Sequence, residues 1–194
     1  MRRTVVLVGL PGSGKTAFQR RHPEWAVISK DAIRREIFHC CHDPKYEAVV
    51  DRIYAATLVE VIDSAVEVVC IDDLNLTRNA RRELVELTQL AGRDAVAYVM
   101  PSEPLDELFE RTQRNLEKLS VSNPNLAVTG FDRQAYEALA RTYEPVDARE
   151  GFVRVEQTSR PLQELTPAEP DASAKRTRRR GRIERREPLP LFVP

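Results

Sequence analysis

The chain has 194 residues, enough for one domain with a sizeable core, and its 30 basic and 30 acidic side chains cancel. The balance is uneven, because residues 175–187 carry 8 basic and 2 acidic side chains and leave 22 basic and 28 acidic residues for the rest. Three cysteines, two of them adjacent, exclude a disulfide framework, and no apolar run reaches membrane-spanning length. Because no secretory signal precedes the first apolar run, we expect a soluble, cytoplasmic protein without a membrane partner.

Short apolar runs alternate with helical patterns along most of the chain. The runs at 4–8, about 25–29, 66–71, 95–100 and 152–156 predict strands that are buried on both faces. Helical patterns lie at 15–21, 31–39, 45–63, 78–91, 104–119 and 132–143. We expect Pro23 to end the first helix and Gly92 the fourth. This alternation predicts an α/β protein, with a three-layer fold and a mostly parallel five-stranded sheet over residues 1–160.

The composition changes near Pro161, after which Pro, Glu, Ala, Ser and Arg dominate. Such a segment buries too little apolar surface to fold alone, so we predict a flexible, disordered, Arg-rich tail over 161–194. Its arginines at 176–186 either only solubilise the chain or, as we favour, hold nucleic-acid phosphates. The last seven residues, 188–194, place apolar anchors at its end and could form a protein docking motif.

The first strand leads into a loop with the pattern G-x-x-x-x-G-K-[ST]. Its glycines let successive main-chain N–H groups turn toward one anion, and the helix that follows adds its positive end. The lysine can reach the β- and γ-phosphates of a nucleotide, and the final hydroxyl can ligate Mg²⁺. A plain glycine turn would not explain the Lys–Thr pair, so the sequence predicts a nucleotide-binding P-loop. Its residues are Gly9, Leu10, Pro11, Gly12, Ser13, Gly14, Lys15 and Thr16.

Two charged residues follow the second predicted strand. Asp31 and Arg34 are three residues apart on a predicted helix and therefore share a face. The carboxylate could accept the proton of an attacking hydroxyl, and the arginine could bind a substrate phosphate. Judged on spacing alone, an exposed ion pair between the two is the favoured explanation, so the spacing does not assign a catalytic role.

Two aspartates, Asp72 and Asp73, close the third predicted strand. Carboxylates at this place beside a P-loop organise Mg²⁺ or its water shell. Adjacent residues of a strand point to opposite faces, so only one of the two should face the site. Asn75 or Thr77 is suited to capping the next helix.

The helix predicted at 104–119 carries two arginines, Arg111 and Arg114. Either could close over a bound triphosphate and neutralise charge in the transition state, or both could lie on a solvated face. We favour Arg114 for the lid role, with Arg111 second.

Taken together, these motifs resemble the P-loop kinases of the polynucleotide 5′-kinase type, a branch of the AAA-like P-loop ATPases and kinases. The resemblance runs over about residues 4–156 and ends in Tyr143-Glu144-Pro145 and Glu150-Gly151-Phe152. It implies ATP-dependent transfer to a 5′-hydroxyl, with Lys15 and Thr16 on the phosphates and the metal and Asp31 as general base. It also implies that Arg34 holds the 3′-phosphate of the acceptor, that Asp73 supports the site as a metal ligand together with Thr16, and that a lid arginine contacts ATP.

Three functions remain open at this point. The first is a Mg²⁺- and ATP-dependent kinase acting on the 5′-hydroxyl end of DNA or RNA, and the missing guanine-reading N-K-x-D motif favours ATP as the donor. The second is a P-loop kinase of a small molecule such as a sugar nucleotide or an antibiotic, which the acidic globular part favours. The third is a nucleotide-dependent binding module without catalysis.

The run His39-Cys40-Cys41-His42 contains four potential metal ligands. Four consecutive side chains cannot converge on one ion, because zinc sites separate paired ligands by two or more residues. We therefore expect a helix end with one or two half-buried cysteines.

Overall fold

The computed structural model describes residues 2–130 and 132–158. They all belong to one compact unit, Met1–Glu164. The predicted tail, its arginine cluster and the terminal docking motif lie outside the described residues, and the predicted boundary at 160 stays a prediction.

Five parallel strands form one sheet in the order β2-β3-β1-β4-β5, as the alternating pattern predicted. The register places Val6 of β1 between Ile71 of β3 and Ala97 of β4. The strands are β1 (Arg3–Val8), β2 (Ala26–Ile28), β3 (Val68–Ile71), β4 (Asp94–Val99) and β5 (Arg154–Gln157).

Within the described residues six helices connect the strands, and a 3₁₀ turn, Ala148–Glu150, follows the last of them. Thr77 caps the fourth helix, since its hydroxyl accepts a hydrogen bond from the Ala80 amide, and Gly92 follows that helix with a left-handed φ of 63°. The first helix ends earlier than predicted, at Gln19. The helices are α1 (Lys15–Gln19), α2 (Lys30–Phe38), α3 (Pro44–Asp63), α4 (Arg78–Leu90), α5 (Leu105–Ser122) and α6 (Arg133–Arg141).

The core has two parts because alternate residues of the strands face opposite sides of the sheet. On one side Val6, Val8 and their neighbours pack against α3 and α4 through Leu58 and Leu84. On the other side Val5 and Leu7 join Trp25, with Phe18 of α1 packed against them. The result is the predicted three-layer α/β fold, in which the carboxyl ends of all five strands meet at one edge.

The cysteine run lies at a helix end, as expected. His39 ends α2 in a left-handed conformation, Cys40 is buried and Cys41 is partly buried. Cys40 forms an isolated parallel bridge with Ala127. Within residues 2–130 and 132–158, no group of three His, Cys, Asp or Glu side chains is placed to hold a metal ion. None of the helices in this part of the chain is long and apolar enough to cross a membrane.

Candidate active site

The P-loop lies at the carboxyl end of β1, and two of its glycines have left-handed backbones. Gly12 has a φ of 79° and Gly14 a φ of 95°. A Cβ at Gly12 would clash with the carbonyl oxygen of Leu108 and lie 2.7 Å from Oγ1 of Thr112, so the loop and α5 approach closely there. At Gly14 a Cβ would meet nothing within 4 Å, so this side of the loop opens into free space. An open concave loop at the start of a helix fits a phosphate group.

Lys15 is buried beneath this loop and is held by its main chain. Its Nζ donates to the carbonyl oxygens of Gly9 at 2.6 Å and of Leu10 at 2.9 Å. Burial lowers its pKa to about 8, against the opposing charges of Asp72, Asp73 and Asp31. The charge of this lysine is therefore costly in the free protein, and a triphosphate would stabilise it.

Asp72 contacts the hydroxyl of Thr16, whereas Asp73, the predicted metal ligand, has a different hydrogen-bond partner. Oγ1 of Thr16 donates to Oδ2 of Asp72 at 3.0 Å. Asp73 instead accepts a hydrogen bond from the Leu74 amide at 2.8 Å, because it begins the turn after β3. Burial raises the pKa of both carboxyls, although Lys15 and Thr16 counteract this at Asp72. The paired hydroxyl and carboxylate are hard oxygen donors, which fits Mg²⁺.

Asp31 and Arg34 form the ion pair that their spacing predicted, but a third residue joins them. Nη1 of Arg34 donates to Oδ1 of Asp31 at 2.6 Å, while Nε and Nη2 donate to the two carboxylate oxygens of Glu47 at 2.9 and 2.7 Å. Partial burial opposes the charge of Arg34, but these carboxylates outweigh it and raise its pKa. The hydrogen bond from Arg34 in turn lowers the pKa of Glu47. Arg34 is thus clamped between two carboxylates and fixes Asp31, whose side chain is 72% exposed.

Asn75 shapes the loop after β3. It has a left-handed φ of 49°, and its buried amide donates to the carbonyl oxygen of Leu7 at 2.7 Å. It therefore joins this loop to β1 and does not cap α4, which is the role of Thr77.

A buried ion pair also holds the loop after β3 in place. Arg81 is fully buried, and its Nε and Nη2 bind both carboxylate oxygens of Glu150 at 2.7 and 2.8 Å. Its Nη1 donates to the carbonyl oxygens of Asn75 at 3.1 Å and Leu76 at 2.8 Å. Arg81 therefore links the loop after β3 to the segment before β5.

Of the two candidate lid arginines, Arg111 contacts the P-loop. Its Nη1 donates to the carbonyl oxygen of Gly12 at 2.9 Å, and Glu103 binds its guanidinium at 3.0 and 2.7 Å. Arg114, which the sequence favoured, is exposed on the same helix and lies 3.6 Å from Glu110. Arg114 lies nearly one turn further along α5 than Arg111, whereas Leu108 and Thr112, the α5 residues that approach Gly12, lie next to Arg111.

Three contributors were missed by sequence reasoning: Glu47, Glu103 and Tyr136. The Tyr136 hydroxyl donates to the carbonyl oxygen of Pro11 at 2.7 Å, which docks α6 on the P-loop. Each lies on a different element from the group that it contacts, so no local spacing marked it. The only available signal was an unassigned acidic or aromatic residue near a predicted helix start.

Comparisons with known proteins show the family and the fold of the chain. The AAA domain family matches residues 5–145, whereas no curated protein matches the sequence. A chain of the Pnkp1/Rnl/Hen1 RNA repair complex superposes with a TM-score of 0.58 at 20% identity, over 73% of this chain and 43% of that chain. Kti12 from Chaetomium thermophilum, in complex with ADP-AlF3, superposes with a TM-score of 0.53 at 15% identity, over 80% of this chain and 88% of that chain. A gluconokinase from Sinorhizobium meliloti 1021 superposes with a TM-score of 0.50 at 20% identity, over 81% of this chain and 83% of that chain.

At these identities the likeness concerns the fold, which is that of the P-loop kinases. The chain spans less than half of the repair-complex protein that it resembles.

Proposed function

The chain belongs to the AAA domain family, and from that membership and the site at the carboxyl edge of the sheet we propose that it is an ATP-dependent kinase of 5′-hydroxyl ends of DNA or RNA. The observation that carries the proposal is that residues suited to bind the phosphoryl donor and a residue suited to activate the acceptor all surround one lysine. The charges of Asp72, Asp73 and Asp31 all act on Lys15, although they follow two different strands. A P-loop that only bound a nucleotide would not need the third carboxylate.

The donor half consists of the P-loop and the third strand end. Lys15 leaves the carbonyls of Gly9 and Leu10 and neutralises the transferred phosphoryl group, while the amides of the loop hold the phosphates. Thr16 and Asp72 would hold Mg²⁺, and Asp73 stays a candidate for its water shell. When bound, MgATP supplies the phosphoryl group and a leaving group whose charge the metal offsets.

The acceptor half is organised by Asp31. Its Oδ1 is held by Arg34, and its Oδ2 makes no hydrogen bond within the part of the chain that the structure describes. Oδ2 is therefore placed to accept the proton of the 5′-hydroxyl as the hydroxyl oxygen forms its bond to phosphorus. In this proposal Arg111 is the better candidate for the lid, because it already lies on the loop, and Arg114 keeps the role only if the lid rotates.

The test is transfer of label from γ-labelled ATP to an oligonucleotide with a 5′-hydroxyl. Asp31→Asn keeps the shape of the side chain and a hydrogen-bond acceptor for Arg34 but removes the base. We expect it to lower kcat by about 10²- to 10⁴-fold while the Kd for ATP changes less than about threefold.

Asp63→Asn is the matched control, because Asp63 is an exposed aspartate at the far end of α3. Wild-type kcat is expected for this variant. The proposal fails if wild-type protein labels no 5′ end, or if Asp31→Asn retains full transfer.

A small-molecule acceptor is the second candidate, and a cavity of about 510 Å³ beside Asp73 favours it, since this volume suits a small ligand. A panel of hydroxyl-bearing metabolites in the same assay separates the two. Label on a metabolite and none on oligonucleotides would select the second candidate. The predicted nucleic-acid contact of the arginines at 176–186 is measured in that panel by the salt dependence of oligonucleotide binding.

A further inference from the structure

Tyr136 of α6 reaches the P-loop from a distant part of the chain. The residue is fully buried, and its hydroxyl donates to the carbonyl oxygen of Pro11, 125 positions earlier, at 2.7 Å. A buried tyrosine hydroxyl needs a hydrogen-bond partner, and here the partner is a carbonyl of the phosphate-binding loop. What the contact does depends on the peptide unit to which this carbonyl belongs.

The carbonyl of Pro11 and the amide of Gly12 belong to one peptide unit. Such a unit is planar and trans, so its C=O and its N–H point in opposite directions. Because the Pro11 carbonyl points to α6, the N–H of Gly12 points away from α6. This N–H donates to no acceptor within the part of the chain that the structure describes.

The next peptide unit shows which side is the interior of the loop. Nη1 of Arg111 on α5 holds the carbonyl oxygen of Gly12 at 2.9 Å. The N–H of Ser13, in the same peptide unit, donates across the loop to the carbonyl oxygen of Leu10 at 3.2 Å. Two consecutive carbonyls thus point outward to α5 and α6, and the amides that follow them point inward. Of these two amides, that of Gly12 remains available to a phosphate oxygen.

Tyr136 is itself held against α5 by its neighbours. Its ring packs edge-on against Phe109 of that helix, with the ring centroids 5.3 Å apart. Arg133, nearly one turn earlier on α6, lies 5.3 Å from the centre of the same Phe109 ring and pairs with Asp106 of α5. The two helices therefore fix the position of the tyrosine hydroxyl before any ligand binds.

We propose that Tyr136 is a positioning residue that turns the Gly12 amide toward the phosphates of a bound nucleotide. Through the Pro11 carbonyl it fixes the orientation of one peptide unit, so the N–H is already aimed at the ligand in the free protein. Fixing this orientation in advance removes an entropic cost of phosphate binding. The inference goes beyond the proposed function, since it concerns the nucleotide and holds whatever the acceptor is.

Calorimetric titrations with MgADP and with magnesium pyrophosphate test the role of Tyr136 without any acceptor. Tyr136→Phe keeps the ring and removes only the hydroxyl, so it should weaken both ligands by the same factor, about 3- to 10-fold. Equal factors are expected because the amide contacts phosphate and not the nucleoside. Tyr46→Phe is the matched control, because Tyr46 also packs on a phenylalanine, Phe38, at 4.5 Å, but lies on α3. Thermal melting shows that both variants are folded.

Spectra of protein labelled with ¹⁵N-glycine give a readout that a merely structural role would not change. The chain has 7 glycines, so the amide signals of Gly12 and Gly14 can be resolved. In the wild type, saturating MgADP should shift both signals, because both amides lie in the phosphate-binding loop. In Tyr136→Phe the shift at Gly12 should fall by more than about half, while the shift at Gly14 is kept.

Three results would overturn the inference. Unchanged affinity for both ligands in a folded Tyr136→Phe protein, or a loss confined to MgADP, would show that the hydroxyl does not act on phosphate binding. Equal loss of shift at Gly12 and Gly14 would show that the whole loop loosens and not one peptide unit. A wild type that binds neither ligand would refute the inference together with the assignment of the P-loop. Normal binding without transfer to any acceptor would refute only the proposed kinase function and leave the inference intact.

Discussion

The two edges of the sheet each bury an arginine, but they use it differently. At the carboxyl edge Arg81 is paired with Glu150, and nearby Lys15, Asp72 and Asp73 have pKa values shifted toward their neutral forms by burial. At the amino edge Arg93 has no carboxylate partner among the described residues. All five hydrogen bonds that it donates within the described residues end on main-chain carbonyl oxygens, those of Arg3, Ile62, Ser64, Val66 and Glu67.

The difference indicates what each edge is for. Arg93 donates to the carbonyl oxygens at the end of α3 and before β3. It therefore supplies hydrogen bonds to carbonyl groups at the end of a helix, which have no partner within the helix. Burial and the nearby charge of Arg2 lower the pKa of Arg93. At the carboxyl edge, by contrast, buried charges remain that only a ligand of opposite charge and a metal ion would neutralise. Arg93 is therefore held by main-chain acceptors although burial disfavours its charge, whereas the carboxyl edge holds charges suited to a ligand and a metal ion.

The largest effect on stability is expected at Arg81. Arg81→Met leaves the Glu150 carboxylate, whose side chain is 3% exposed, with only Arg78 at 3.8 Å, and the loss of a buried partner destabilises by about 3–5 kcal/mol. Urea unfolding measures it. Because Arg81 also holds the carbonyls of Asn75 and Leu76, phosphoryl transfer should fall in the protein that remains folded.

The double variant Arg81→Met/Glu150→Met is the control for this prediction. It removes the unpaired charge, so most of the lost stability should return while transfer stays low. If Arg81→Met alone had the same urea midpoint of unfolding as the wild type, the assigned role of the pair would be wrong.

A smaller effect, confined to stability, is expected at Arg93. Arg93→Met removes five hydrogen bonds but leaves no unpaired charge, and we expect a loss of about 2 kcal/mol in the free energy of unfolding. ATP affinity and kcat of the folded variant should equal those of the wild type. A loss of activity at unchanged stability would show that the two edges are coupled, which would break the contrast between them.

The fold could be predicted because its signal is local. Each strand is a short apolar run, each helix has its own periodicity, and the P-loop marks the first turn, so all five strands and six helices were found. Asp72 could not be separated from Asp73, because the twist at the end of β3 decides which carboxylate turns to Thr16. Arg111 and Arg114 share a face of α5, and only the packing of that helix against the P-loop distinguishes them.

The missing parts of the site share one physical reason. Glu47 lies 13 residues from Arg34 on another helix, and Glu150 lies 69 residues from Arg81. Such pairs depend on how elements pack and leave no pattern in sequence spacing. The roles of Asp31, Arg34 and the lid arginine stay predictions until the variants are measured.

The smallest effect, and the most direct probe of the charge held at the carboxyl edge, is the pH dependence of nucleotide binding. Burial lowers the pKa of Lys15 to about 8 in the free protein, and a bound triphosphate must raise it by favouring the charged form. Below pH 8 the lysine is charged in both states, so affinity is flat. Above pH 8 binding takes up a proton, so the affinity for MgATP should fall toward about tenfold per pH unit.

Calorimetric titrations from pH 7 to 9.5 measure this slope. Over that range the terminal phosphate is already ionised, so its own titration adds little. Lys15→Met should bind weakly and with an affinity that no longer changes above pH 8, because the titrating group is gone. If wild-type affinity stayed constant to pH 9.5, Lys15 would be fully charged in the free protein over this range. Burial would then not disfavour the charge of Lys15, contrary to the contrast drawn between the two edges.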